Sequence, residues 1–141
     1  MLQDALESGR AFDKALEWVE AQGGDVTLLD GESYGLREAP VVCELSAPRS
    51  AAIAEIDAMQ VGLAAVELGA GRHKKGDPID HAVGIVLQAK VGDRVQAGDP
   101  LLTVHANDPG QCARATARLL DAYSWTEEQM SAAPLIYKVI D

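Results

Sequence analysis

Aromatic side chains are scarce: one Phe, two Trp and three Tyr in 141 residues. That leaves little from which to build the stacking platforms that hold single-stranded nucleic acid. Cations are few as well. Twelve Lys and Arg stand against 22 Asp and Glu, a formal net charge of −10, and a surface of that sign repels phosphate backbones and anionic lipid. No stretch approaches the roughly 20 apolar residues of a membrane span. The start, Met1-Leu2-Gln3-Asp4, has neither the basic opening nor the apolar run of a signal peptide. No nucleic-acid or membrane partner is therefore expected. There are only two cysteines, Cys43 and Cys112, far apart and without metal-like spacing. They are expected to be two buried thiols in a reducing cytoplasm.

What the chain does have is ordinary globular material: 48% hydrophobic and 24% charged residues, in the length of one domain. It contains no internal repeats and no low-complexity tracts. The first 22 residues read as helix. Leu2, Ala5 and Leu6 share one face, and Phe12, Ala15, Leu16 and Val19 fall at i, i+3, i+4 and i+7. Ser8-Gly9 suggests a bend between two helices, and Gly23-Gly24 ends the second. A helix starting so close to the first residue reads as cut from something longer. Residues 25–40, with mixed polarity and two glycines, read as a linker.

From Val41 the character changes. Val41–Leu45 and Ser50–Ile56 are expected strands around an Ala47-Pro48 turn. Asp57 is a good helix N-cap, with Gln60 placed to reach back and Ile56 and Val61 positioned as a hydrophobic staple. Val61, Ala64, Ala65 and Leu68 form that helix's apolar face, and Gly69 stops it. Ala82–Ala89 and Leu101–Ala106 are further strands. Asp108-Pro109-Gly110-Gln111 is a strong helix start, and Cys112, Ala115, Thr116 and Leu119 line the buried face that follows. Thr126–Gln129 is expected to cap one more helical turn and Leu135–Ile140 to close a sheet. Val61, Ala64, Leu68, Ile85, Leu87, Leu101, Val104 and Leu119 are the expected common core. The fold class is α+β: a small mixed sheet, barrel-sandwich-like, with packed helices and a preceding helical hairpin.

Little in the sequence points to chemistry. His73, His81 and His105 lack a second ligand at metal spacing. Asp77 and Asp80, three apart beside Pro78, suit capping of the following turn better than paired acid–base work. No G-x-S-x-G elbow surrounds a serine, and neither cysteine has a neighbouring histidine. No catalytic, metal or cofactor-binding residue is therefore expected, and no cofactor.

Gly69-Ala70-Gly71-Arg72 invites a phosphate-loop reading, because glycines let backbone amides cradle an anion. A dinucleotide fingerprint, however, needs glycine where Lys74 stands, and it follows a strand whereas this loop follows a helix. Arg72, His73, Lys74 and Lys75 form a basic cluster in an acidic chain. Gly69, Gly71, Arg72, Lys74 and Lys75 are the candidate interdomain loop, suited to an acidic surface of another domain. With four cationic or potentially cationic groups in succession and small residues before them, nothing local is expected to fix it strongly.

Gly92-Asp93-Arg94-Val95-Gln96-Ala97-Gly98-Asp99-Pro100-Leu101 carries the pattern G-D-x-V-x-x-G-x-x-L. This resembles the barrel-like sandwich of biotinyl and lipoyl carrier domains, with Val95 and Leu101 pointing inward. A carrier needs an exposed lysine in a following hairpin, and Thr103–Asp108 holds none.

A more extensive resemblance is carried by Ile56-Asp57-Ala58, by Gly62, Leu63 and Ala64, and by Leu68-Gly69-Ala70-Gly71-Arg72. It continues through Lys75-Gly76-Asp77-Pro78-Ile79-Asp80-His81-Ala82-Val83-Gly84-Ile85, the Gly-Asp segment and Val104-His105-Ala106. These residues resemble the C-terminal domain of the thymidine and pyrimidine-nucleoside phosphorylases, and Ser8–Ala11 with Glu20–Asp25 resemble the family's helix just upstream of it.

The resemblance implies a division into residues 1–24, a helical segment from the end of a preceding α/β domain; 25–40, a linker; and 41–141, the C-terminal domain. It implies a parent glycosyltransferase that converts a pyrimidine nucleoside and phosphate to free base and pentose 1-phosphate in nucleoside salvage. The family's catalytic, phosphate, base and cation contacts lie upstream, so none maps onto a position here. The chain is expected to be structural and inactive alone, with the rest of the phosphorylase chain as partner and a homodimeric, cytoplasmic parent. Two other readings stand beside it: a biotinyl- or lipoyl-carrier-like module, and a stand-alone regulatory protein that binds a full-length phosphorylase.

Overall fold

The computed structural model describes residues 2–30, 37–128, 130, 134 and 136–140. They form two compact units, divided between Arg37 and Glu38.

The first unit is helical. Helices α1 (Leu2–Glu7) and α2 (Arg10–Ala21) meet at Gly9, whose φ of 81° gives the bend. Helix α2 ends as its Gly-Gly pair requires. The Gly23 amide donates to Glu20 and the Gly24 amide to Val19, with φ of 82° at Gly23. A short 3₁₀ turn, Val26–Asp30, follows where a loop was expected. Asp25 opens it, accepting from both the amide and the hydroxyl of Thr27. Neither α1 nor α2 buries a residue, and Leu2, Leu6 and Trp18 are largely exposed.

The second unit is α+β, as the sequence implies. Its strands are β1 (Val41–Ser46), β2 (Ala51–Ile56), β3 (Gly84–Leu87), β4 (Arg94–Val95), β5 (Pro100–Ala106) and β6 (Tyr123–Thr126). They pair as β1-β5-β3 and β4-β2-β6, and every pairing is antiparallel, so the expected mixed sheet resolves into two small antiparallel ones. In the first sheet the register lines up Val41 with Ala106, Cys43 with Val104 and Ile85, and Leu45 with Leu102 and Leu87. This is the face packed on the core. The alternate residues Val42 and Val86 stand exposed on the other face.

Two glycine turns join the sheets. Gly98 donates to Ala47 while Ala47 donates to Asp99; Gly92 donates to Ile53 while Ile53 donates to Asp93. The repeated Gly-Asp pattern of the sequence thus becomes two equivalent clamps, one at the end of β1 and one within β2. Val95 and Leu101 point inward, at 6% and 0% exposure.

Helix α3 (Ala58–Ala65) is capped by the Asp57 carboxylate, which accepts from the amides of Met59 and Gln60. It widens into a π turn over Val66–Ala70, inside which Gly69 leaves helical geometry. Helix α4 (Pro109–Asp121) starts as its sequence dictates: Asp108 accepts from the Gln111 amide, and Pro109 occupies the first turn. Ala64, Leu68, Leu101, Val104 and Leu119 are buried in one cluster, with Val61, Ile85 and Leu87 half-buried against it.

Three expectations are corrected. Tyr123–Thr126 is a strand pairing with β2, and the Thr126 hydroxyl accepts from the Glu128 amide, so no helical turn starts there; Gln129 lies outside the described residues. Residues 136–140 form no strand, and Ile136, Tyr137, Val139 and Ile140 are exposed and pair with no strand among the described residues; Leu135 lies outside the described residues. Cys43 and Cys112 are joined as a disulfide between β1 and α4, with Cα atoms 6.6 Å apart, instead of two free thiols. Their separation of 69 residues concealed the proximity that the β1–β5 register and the seating of α4 create.

Candidate functional site

The loop that leaves the π turn carries the basic cluster, and backbone geometry explains its glycines. At Gly69 φ is 109°, a conformation that side chains resist. At Gly71 the φ is ordinary, but a Cβ would lie 2.6 Å from Val66 Cγ2, so any side chain there would force Val66 to shift.

Hydrogen bonds then fold the loop onto itself. Lys74 donates its amide to Asp77 Oδ2 at 3.0 Å, and Asp77 donates its amide back to the Lys74 carbonyl at 3.2 Å. Gly76 sits between them with φ of 97°. Arg72 Nε donates to the Asp77 carbonyl at 3.1 Å. The stem is closed by Asp80, whose amide donates to the Gly69 carbonyl at 2.9 Å. Asp80 Oδ1 accepts from the Ala82 amide, and Oδ2 accepts from Asn107 Nδ2 at 2.9 Å. The expectation that nothing local holds this loop is therefore corrected: Asp77 and Asp80 tie it down. Asp80 does cap the following turn, whereas Asp77 closes the preceding one. Asn107 had no local signal, because it meets Asp80 across 27 residues.

The loop's charge faces outward. Arg72, His73, Lys74 and Lys75 are all exposed, and among the described residues no ion pair joins them to a carboxylate. What the arrangement offers is a shaped cationic surface. Among the described residues no group of three His, Cys, Asp or Glu side chains could hold a metal ion. The recess between α3 and α4, lined by Ala64, Glu67, Leu68, Gln111, Arg114 and Ala115, measures about 20 Å³, room for a water and nothing larger. A recess of about 250 Å³ lies against Ala52, Gly92, Arg94 and Met130, and these described residues offer no acid–base pair.

The carrier-like alternative gains no support. Thr103–Ala106 continues β5, and Asp108 caps α4, so no lysine-bearing hairpin forms there.

Comparison with known proteins agrees with the residue pattern. Residues 52–126 match the family model described as pyrimidine nucleoside phosphorylase C-terminal domain, from the second residue of β2 to the end of β6. The chain belongs to this family. It is 38% identical over 140 residues to a thymidine phosphorylase of Burkholderia cenocepacia (strain HI2424). It is 39% identical over 140 residues to a pyrimidine-nucleoside phosphorylase of Staphylococcus haemolyticus, and 37% to one of Staphylococcus aureus (strain bovine RF122 / ET3-1). Each alignment covers 99% of this chain and 32% of the relative, so the chain spans about a third of the length of the curated relatives it matches. The whole basic loop lies inside the matched phosphorylase C-terminal domain, together with its anchors Asp77, Asp80 and Asn107.

No helix among the described residues is long and apolar enough to cross a membrane.

Proposed function

We propose that this phosphorylase C-terminal domain supports a reaction whose chemistry lies elsewhere: phosphorolysis of a pyrimidine nucleoside to free base and pentose 1-phosphate. The observation that carries the reading is coverage. The chain aligns along 99% of its own length but only 32% of relatives named as thymidine and pyrimidine-nucleoside phosphorylases. Phosphorolysis requires preorganised donors that hold phosphate against the sugar carbon, and the described residues assemble no such constellation. The chain alone is inactive on this reading, and the parent is a cytoplasmic homodimer.

In the same reading residues 1–24 end a preceding α/β domain, 25–40 link it, and 41–141 form the C-terminal domain. The largely exposed Leu2, Leu6 and Trp18 support this, because such apolar side chains call for cover. Gly69, Gly71, Arg72, Lys74 and Lys75 form an interdomain contact, the cations meeting acidic groups of the α/β domain. Support comes from the exposed charge, which joins no ion pair among the described residues, on a loop whose backbone is already closed.

A chimera tests the reading. This chain replaces the matching third of the Staphylococcus haemolyticus relative, and base release from thymidine and uridine is measured. The expected result is a folded, active chimera whose activity falls when Arg72, Lys74 and Lys75 are changed together to Ser. A folded but inactive chimera would overturn the proposal, and activity indifferent to the triple change would remove the loop's role.

A further inference from the structure

The phosphorylase reading leaves the Cys43–Cys112 bond unused. Cys43 lies on β1, an edge strand of its sheet, and is half-buried. Cys112 is in the first turns of α4 at 3% exposure. Their Cα separation of 6.6 Å falls within the range a disulfide spans. Ala115 and Leu119 are buried on the same helix face, and Arg118 of α4 pairs with Glu67 at 3.0 Å, so other contacts also hold the helix in place.

The bond's position gives it reach. Residue 112 follows Gln111, whose amide caps onto Asp108 and whose Oε1 accepts from the Asn107 amide at 3.1 Å. Asn107 in turn donates to Asp80, and Asp80 closes the stem of the basic loop on Gly69. A chain of short contacts thus runs from the sulfurs to the base of the loop.

We propose that Cys43 and Cys112 form a reversible redox staple, which when closed fixes the first turn of α4 and, through Asn107 and Asp80, the stem of the basic loop. The oxidant is a low-molecular-weight disulfide of the glutathione class. The Cys43 thiolate, the more accessible of the two, attacks one sulfur of that disulfide and releases one glutathione thiolate. The Cys112 thiolate then attacks the Cys43 sulfur of the mixed disulfide and expels the second. Two protein thiols and one glutathione disulfide become one protein disulfide and two glutathione thiols; excess glutathione runs the exchange backwards. The inference does not rest on the phosphorolysis reading.

The test equilibrates the 141-residue chain in buffers of graded reduced-to-oxidised glutathione ratio. Each sample is alkylated for intact mass, and amide hydrogen exchange is followed at both extremes. The staple predicts that both cysteines pass together from unlabelled to doubly labelled. It also predicts exchange at residues 69–82 and 108–112 slower by about tenfold or more in the oxidised form. Cys43→Ser and Cys112→Ser should exchange alike in both buffers; the wild-type comparison decides the matter even if a variant fails to fold. Three results would overturn the proposal: labelling of both cysteines in the folded chain at every ratio, a bond that joins two chains instead of one, or equal exchange at residues 69–82 in the two forms.

Discussion

Asp93 and Lys90 close a turn from both ends: the Lys90 amide donates to the Asp93 carboxylate at 2.8 Å, and the Asp93 amide donates to the Lys90 carbonyl at 3.0 Å. Gln96 and Asp99 repeat the arrangement at 2.8 and 3.0 Å, and Lys74 and Asp77 repeat it in the basic loop. In all three the third residue is a glycine with φ between 93° and 97°. A four-residue unit ending in Gly-Asp is used three times: twice to clamp the sheets and once to shape a charged surface. Glycine is needed for the positive φ, and aspartate is short enough to reach back to the first amide.

Gly98→Ala should destabilise the second unit by about 1–2 kcal/mol. A Cβ there meets open space, so the cost is the backbone conformation alone. Denaturant midpoints measure it, and a loss below a few tenths of a kcal/mol would show that the turn tolerates a side chain.

The contact between Gly71 and Val66 predicts a coupled pair. Gly71→Ala places a methyl 2.6 Å from Val66 Cγ2 and should cost about 1–3 kcal/mol. Val66→Ala removes the obstructing methyl, so the double variant should lose less than the two single losses added together. Strict additivity in a double-mutant cycle would contradict the close approach.

Leu101 is fully buried at the register shift between β1 and β5, where Leu45 faces Leu102 and Ser46 faces Pro100; Leu101 is the extra residue there, and it breaks the alternation of β5. Leu101→Ala should cost about 2–5 kcal/mol in denaturant melts. A loss under about half a kcal/mol would place that side chain outside the core.

Tyr123 is buried, stacks on Trp125 at 5.8 Å, and its hydroxyl has no hydrogen-bond partner among the described residues. Burial pushes its phenol above the usual tyrosine value. A pKa raised by folding means that stability is whole below the unfolded value of about 10 and falls as pH rises through the folded one. Tyr123→Phe should therefore leave neutral-pH stability unchanged or slightly higher and blunt the alkaline loss. Melts at pH 7 and above pH 10 check this; equal alkaline loss in both proteins would contradict it.

What was legible in the sequence was what is local. Asp57, Asp108 and Gly9 act within four residues of themselves, and the helix boundaries they imply are the observed ones. The candidate loop was legible from its charge and glycines, but its anchoring was not, since Asn107 reaches Asp80 only after β3 and β5 have paired. Tyr123-Ser124-Trp125-Thr126 did carry a strand signal in its alternation of β-formers, obscured by its position directly behind a helix and by the capping pattern at Thr126. Ile136–Ile140 carried a similar signal but pairs with no strand among the described residues, and pairing requires a neighbour that no local pattern reports.

Inorganic phosphate distinguishes a docking surface from an anion site in the basic loop. Titration followed at the amide resonances of residues 69–75 should give weak, unsaturated shifts shared with other basic groups, since exposed ion contacts contribute only about 0–1 kcal/mol each. Saturable shifts confined to this loop at sub-millimolar phosphate would make it a binding site in its own right.

If the bond-breaking groups reside outside this domain, as proposed, a direct assay of the purified chain shows it. Given thymidine or uridine with phosphate, the chain should release no free base above a protein-free control. Base release proportional to chain concentration, persisting after host phosphorylase has been depleted, would contradict the account.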